Sequence, residues 1–145
     1  MKKNILLLLI LISFKIEAQK TPDFYFQKNK LEIKMEFSDT SKFCQLPFKY
    51  ESKVDNDLNF FDKERTWAME FQFNHSNIVN EIRFVTYDHE IADFYLIQND
   101  SLYGNHELVD GIVEWKKEDI LILFTIKENN NFPYQFIYSK YVKKD

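Results

Sequence analysis

The stretch Leu108-Val109-Asp110-Gly111-Ile112-Val113-Glu114-Trp115-Lys116-Lys117-Glu118-Asp119-Ile120-Leu121-Ile122-Leu123-Phe124-Thr125-Ile126 reads as three consecutive β-strands. Asp110-Gly111 separates two apolar segments, and an Asp-Gly pair takes up the positive φ angles of a type I′ hairpin turn. Lys116-Lys117-Glu118-Asp119 is a second polar turn. The run from 120 to 126 is apolar on both faces, the mark of a central strand covered on both sides. Beyond it Lys127-Glu128-Asn129-Asn130-Asn131 forms a loop, and residues 134–142 form a last strand with Tyr134, Phe136 and Tyr138 on one face. Pro133 falls near its start, where a strand tolerates proline.

Upstream, two segments alternate cleanly. In Leu31-Glu32-Ile33-Lys34-Met35-Glu36-Phe37 every second residue is apolar, and in Trp67-Ala68-Met69-Glu70-Phe71-Gln72-Phe73 the large apolar residues again take alternate places. Period-2 alternation predicts half-buried strands. Residues 82–87 and 92–97 are rich in β-branched and aromatic types and predict two more strands, the second closed by a turn at Asn99-Asp100. No segment reads as a convincing helix, although Asn59-Phe60-Phe61-Asp62-Lys63-Glu64-Arg65 allows a helical turn. About eight or nine strands at roughly 8–12-residue spacing predict an all-β antiparallel meander closing into a small barrel, with a β-sandwich as the alternative.

The composition agrees with one well-packed domain. The chain has 145 residues, 45% of them apolar and 17% aromatic, with 15 Phe and 8 Tyr; that content buries a substantial core and excludes disorder. With only 2 Gly and 3 Pro, the turns fall to Asn, Asp, Ser and Lys. Glycine-rich phosphate loops cannot be written with Gly104 and Gly111 alone.

Lys2 and Lys3, the apolar run from Ile5 to Ile12, and Ile16-Glu17-Ala18 have the layout of a signal peptide cleaved after Ala18. About ten apolar residues fall short of the ~20 that cross a bilayer. The expectation is an exported protein, periplasmic or extracellular, with leader 1–18 and a single all-β domain 19–145. Removing Lys2, Lys3, Lys15 and Glu17 leaves 16 basic and 22 acidic residues, a net charge of −6. An acidic chain lacks the phosphate-neutralising charge that nucleic-acid binding needs. Cys44, the single cysteine, has no internal disulfide partner and reads as a buried thiol.

No motif carries recognisable catalytic chemistry. His75, His89 and His106 lack any spacing that metal sites reuse. Asp55-Asn56-Asp57-Leu58-Asn59 starts like a calcium loop, but Phe60 stands where the sharp-turn glycine belongs and Thr66 where the bidentate glutamate belongs. No Ser lies in a G-x-S-x-G elbow. The expectation is therefore a non-enzymatic protein with no metal and no cofactor. Asn74-His75-Ser76 and Asn99-Asp100-Ser101 satisfy the N-linked sequon, and Asp100-Ser101-Leu102 matches a bacterial O-glycosylation acceptor. The candidate site is aromatic: Trp67, Phe71, Tyr95, Trp115, Phe124 and Phe136 all fall in predicted strands and are the expected lining of a barrel interior.

The order Phe94-Tyr95-Leu96-Ile97-Gln98-Asn99-Asp100-Ser101-Leu102-Tyr103, then the paired segments 112–123 around a polar corner, then residues 134–141, resembles the second half of small exported lipocalin-like proteins. The resemblance covers the last third of the chain. The family's Gly-x-Trp has no counterpart, since no Trp precedes Trp67 and no Gly precedes Gly104. It implies a β-barrel binding module holding a small apolar ligand. The other expected function is a module of inhibitor or immunity type, meeting a basic protein partner through an acidic face of Glu32, Glu36, Glu70 and Asp93.

Overall fold

The computed structural model describes residues 22–37, 42–43, 46–47, 49–50, 57–62, 64–128 and 130–140. A 3-10 turn, Pro22–Gln27, leads into helix α1, Lys30–Glu36. Three two-residue strands follow, β1 (Lys42–Phe43), β2 (Leu46–Pro47) and β3 (Lys49–Tyr50). Then come β4 (Leu58–Phe61), β5 (Trp67–Phe73), β6 (Val79–Thr86) and helix α2 (His89–Tyr103). The chain ends in β7 (Glu107–Val109), β8 (Ile112–Lys117), β9 (Ile120–Ile126) and β10 (Tyr134–Lys140).

β1 and β2 pair with each other, and the remaining strands make one antiparallel sheet in the order β3-β4-β5-β6-β10-β9-β8-β7. The sheet is thus two meanders, β3 to β6 and β7 to β10, joined through their last strands. Each meander follows a helix, so the order helix then four-stranded meander occurs twice.

The predominance of antiparallel strands agrees with the sequence, and the Asp110-Gly111 hairpin, the turn before Ile120, β9 and β10 lie where the pattern places them. The closed barrel does not form. β3 and β7 are the two edges of an open sheet. Two helices cover the apolar face instead, so burial is achieved without closing the strands on themselves.

Both helices fall where strands are predicted. At Leu31 to Phe37 the alternation is overridden by a local capping box: Asn29 Oδ1 accepts from the N–H of Leu31 and of Glu32, each at 3.0 Å, and Glu32 Oε2 accepts from Asn29 N–H at 2.8 Å. Such reciprocal bonds satisfy donors that the first helical turn leaves without partners. Of the four alternating apolar residues, Ile33 and Phe37, one helical turn apart, are buried, whereas Leu31 and Met35 are left exposed. In α2 the buried positions Ala92, Tyr95, Asn99 and Tyr103 form a stripe of helical period. Asp88 caps its start, and Gly104, at φ 91°, closes its end by donating its N–H to Asp100 O at 3.0 Å. Of the two aromatic residues in 92–97, Tyr95 faces the core and Phe94 is exposed, as two faces of a helix allow.

The core lies between the helices and one face of the sheet. Register puts Leu58 and Phe60 of β4, Trp67, Met69 and Phe71 of β5, and Ile82 and Phe84 of β6 on that face. Phe136 and Tyr138 of β10, Ile122 and Phe124 of β9 and Trp115 of β8 continue it. All of these are buried.

Candidate functional site

The six aromatic residues marked by the sequence are all buried and all belong to this core. Five come from strands and Tyr95 comes from α2. They divide into three neighbourhoods. Phe71 packs with Tyr25, Phe37 and Phe60, at ring-centroid distances of 5.6, 5.4 and 5.7 Å. Tyr95 stacks on Phe84 at 4.2 Å and meets Phe136 at 5.7 Å, Phe136 meets Phe124 at 4.6 Å, and Trp67 lies 5.8 Å from Phe84. Trp115 turns its Nε1 to Asp100 Oδ1 at 2.9 Å. Tilted and edge-on ring contacts at these separations are the geometry of close aromatic packing.

The residues expected to form one acidic face do not share a face. Glu32 and Glu36 are on α1 and Asp93 is on α2, both helices lying over the core side. Glu70 points out of the opposite side of the sheet, where Arg83 lies 3.6 Å from it. Glu36 is paired with Lys28 at 3.4 Å.

A different acidic region emerges from the fold. Between residues 84 and 113 the chain carries Asp88, Glu90, Asp93, Asp100, Glu107 and Asp110 and no Lys or Arg. Folding gathers this stretch into α2 and the edge strand β7. Along the outer side of α2, Phe94 and Ile97 are 43% and 71% exposed, one turn apart and flanked by the exposed Glu90 and Asp93. At the sheet edge Leu108 is 72% exposed. Isolated exposed apolar side chains are ordinary; here two lie one turn apart on the same helix with carboxylates beside them.

α2 is tied to the rest of the fold at its start, middle and end. At its start Thr86 Oγ1 donates to Thr66 O at 2.9 Å and accepts from Asp88 N–H at 3.0 Å, which fixes the cap to the sheet. In its middle Asn99 Nδ2 donates to Tyr138 Oη at 3.2 Å, a buried bond from helix to β10. At its end Asp100 Oδ1 accepts from both His106 Nδ1 and Trp115 Nε1, each at 2.9 Å. These bonds hold the Asp100 carboxyl below its ordinary value of 3.8: the His106 hydrogen bond lowers it most, partial desolvation opposes, and the Trp115 bond lowers it further. Lys117 Nζ donates to Leu102 O at 2.8 Å, a cation at the negative end of the helix dipole.

Comparison with protein-family models, with curated proteins and with solved structures finds no match.

The other sequence candidates take simple places. His75 lies in the exposed turn between β5 and β6, and His89 is exposed at the start of α2. Among the described residues no group of three or more His, Cys, Asp or Glu is placed to hold a metal ion. Nor is any described helix long and apolar enough to cross a membrane. Asn74 of the first sequon is exposed, its Oδ1 accepting from Ser76 and Ile78 N–H. Asn99 of the second is buried, and Asp100-Ser101-Leu102 lies within α2 rather than in a turn. Cys44, residues 55–56 and the leader 1–18 lie outside the described residues. Reading 92–97 as a strand hid Phe94 and Ile97. The cap signals Asp88 and Gly104 were the clue to the helix that displays them.

Proposed function

We propose that this chain is a non-enzymatic binding module that meets a basic protein partner through the outer side of α2. The observation that carries the reading is the exposed pair Phe94 and Ile97, set in a stretch that holds six carboxylates and no cation between residues 84 and 113. Apolar anchors one helical turn apart supply contact area. The surrounding negative charge steers and selects a positively charged partner. With residues 1–18 acting as a cleaved leader, such a module works in the periplasm or outside the cell, where an inhibitor or immunity-type protein meets a basic toxin or enzyme. The alternative of a small apolar ligand in the interior draws less support, because Tyr95, Phe136 and Phe124 pack on one another.

The test is amide chemical-shift mapping with an amphipathic Leu/Lys helical peptide as probe. Shifts confined to α2 around Glu90, Asp93, Phe94 and Ile97, weakened by added salt and lost in Phe94→Ser/Ile97→Ser, are expected. Shifts that centre elsewhere, or binding indifferent to both salt and the double substitution, would overturn the reading.

A further inference from the structure

Asp110-Gly111 is the one place in the chain where an aspartate or asparagine is followed by glycine. The pairing matters chemically as well as sterically. The carboxyl carbon of an aspartate can be reached by the backbone nitrogen of the next residue, and attack there closes a five-membered imide. A side chain on the attacking residue hinders the closure, and glycine has none.

The fold leaves this pair open to the reaction. Asp110 and Gly111 are both exposed, and nothing lies within 4 Å of the position a Gly111 Cβ would take. With φ of 51° and 80° they are the two central residues of a turn closed by the pair Val109 and Ile112, so the Gly111 nitrogen lies outside the ladder. Other aspartates are placed differently. Asp93 and Asp100 lie inside α2, where the next N–H belongs to the helix. Asp88 accepts from Glu90 N–H at 2.8 Å and Asp62 from Trp67 N–H at 2.9 Å, which hold both carboxylates away from their own next residue. Asp57 and Asp119 are followed by Leu58 and Ile120, both buried. Attack at Asp110 requires the Asp110–Gly111 peptide to turn over its own side chain, which opens the turn. Little resists this: β7 is a three-residue edge strand paired with β8 alone, and all three of its residues are exposed.

We infer that Asp110 is a site of spontaneous covalent modification, at which the chain rearranges to isoaspartate. The Gly111 nitrogen bonds to Asp110 Cγ, and the hydroxyl of the protonated carboxyl leaves with the amide hydrogen as water. Water then opens the imide. Addition at Cγ restores aspartate. Addition at the main-chain carbonyl carbon leaves the chain running through Cγ, with the former main-chain carbonyl as a free carboxyl group. The residue keeps its mass and one carboxyl, and only water takes part. The backbone of the turn is then longer by one methylene and no longer fits a two-residue connection. The Val109–Ile112 closure is lost, and β7 with the exposed Leu108 comes away from β8. Phe94 and Ile97 on α2 are untouched, so the inference stands apart from the proposed function.

Incubation of the full chain in mildly acidic ¹⁸O-water tests it, since each passage through the imide places one solvent oxygen in residue 110. Circular dichroism checks that the chain stays folded, and peptide mapping locates the label. Isoaspartate and ¹⁸O are expected at Asp110 ahead of every other aspartate, with faster amide exchange at Leu108 and Val109 in the isoaspartate fraction. Gly111→Asn, which keeps the turn but puts a side chain on the attacking residue, should lose most of both signals. A folded chain that shows neither at Asp110, over an interval in which a synthetic peptide of residues 105–117 converts, overturns the inference. So does conversion that Gly111→Asn leaves unchanged. Should Gly111→Asn fail to fold, the comparison of wild type with the peptide decides.

Discussion

His106 donates its Nδ1–H to the same Asp100 oxygen, at 2.9 Å, that Trp115 reaches from the core. One carboxylate therefore ties the last turn of α2 to the segment before β7 and to β8. These two bonds are strongest with Asp100 ionised, since a protonated carboxyl is a poorer acceptor for both donors.

The pH dependence follows from the lowered Asp100 value, whose first cause is His106. A group depressed in the folded state contributes stability above its unfolded value and loses it as the pH falls through the folded one. Acidification below 3.8 should therefore weaken the attachment of α2 through this group. Carboxyl NMR is expected to show Asp100 titrating below 3.8, and His106→Ala should move that titration upward. An unmoved titration would mean that the His106 bond is not formed in solution.

Asn99 and Tyr138 are both buried and bond to each other between α2 and β10. Tyr138→Phe leaves the buried Asn99 amide short of a partner and Asn99→Leu takes one from the Tyr138 hydroxyl, so each should cost about 1–3 kcal/mol in urea unfolding. A double-mutant cycle should give a loss smaller than the sum of the singles, because both substitutions remove the same bonds. Additive losses would show that the two side chains do not interact.

Phe136 is fully buried, with Tyr95 above it and Phe84 and Phe124 on either side. Phe136→Ala is expected to cost about 3–5 kcal/mol, the transfer loss plus the cavity left among rings that cannot all move inward. Denaturant unfolding measures it. A cost under about 1 kcal/mol would indicate that this part of the core is not closely packed.

The β7–β8 turn depends on backbone geometry rather than packing. Asp110 and Gly111 have φ of 51° and 80°, and nothing lies near enough to Gly111 to obstruct a Cβ. Gly111→Val should therefore destabilise by conformational strain alone, by roughly 1–2 kcal/mol. Gly111→Asn, which tolerates left-handed backbone, should recover most of it in thermal unfolding.

The hairpin at Asp110-Gly111 and the strands β9 and β10 were legible in the sequence because each rests on a signal local to it. α1 and α2 were not. In α1, alternation along Leu31 to Phe37 competes with a capping box at Asn29 and Glu32, and Leu31 and Met35 remain outside the core. In α2, the buried stripe from Ala92 to Tyr103 includes a polar member, Asn99, whose burial is possible because Tyr138 meets it from a strand 39 residues away. The six aromatic residues expected to line a barrel interior are buried, Tyr95 from a helix rather than a strand, among neighbours such as Phe84 and Phe37 that the sequence does not pair with them.

By itself the sequence determined that the chain is rich in antiparallel strand and that its turns fall at Asp110-Gly111 and before Ile120. Alternation, turn chemistry and burial tendency act over a few residues and can be read there. Only the tertiary structure decided that the sheet stays open, since closure depends on what covers the apolar face, and here two helices do so. It also decided which charges share a surface: Glu70 emerges beside Arg83 on the side of the sheet away from the helices, while Asp93 stands with Phe94 and Ile97 on the helix side. The side of a sheet on which a residue emerges is set by register with distant strands, and no local pattern encodes it.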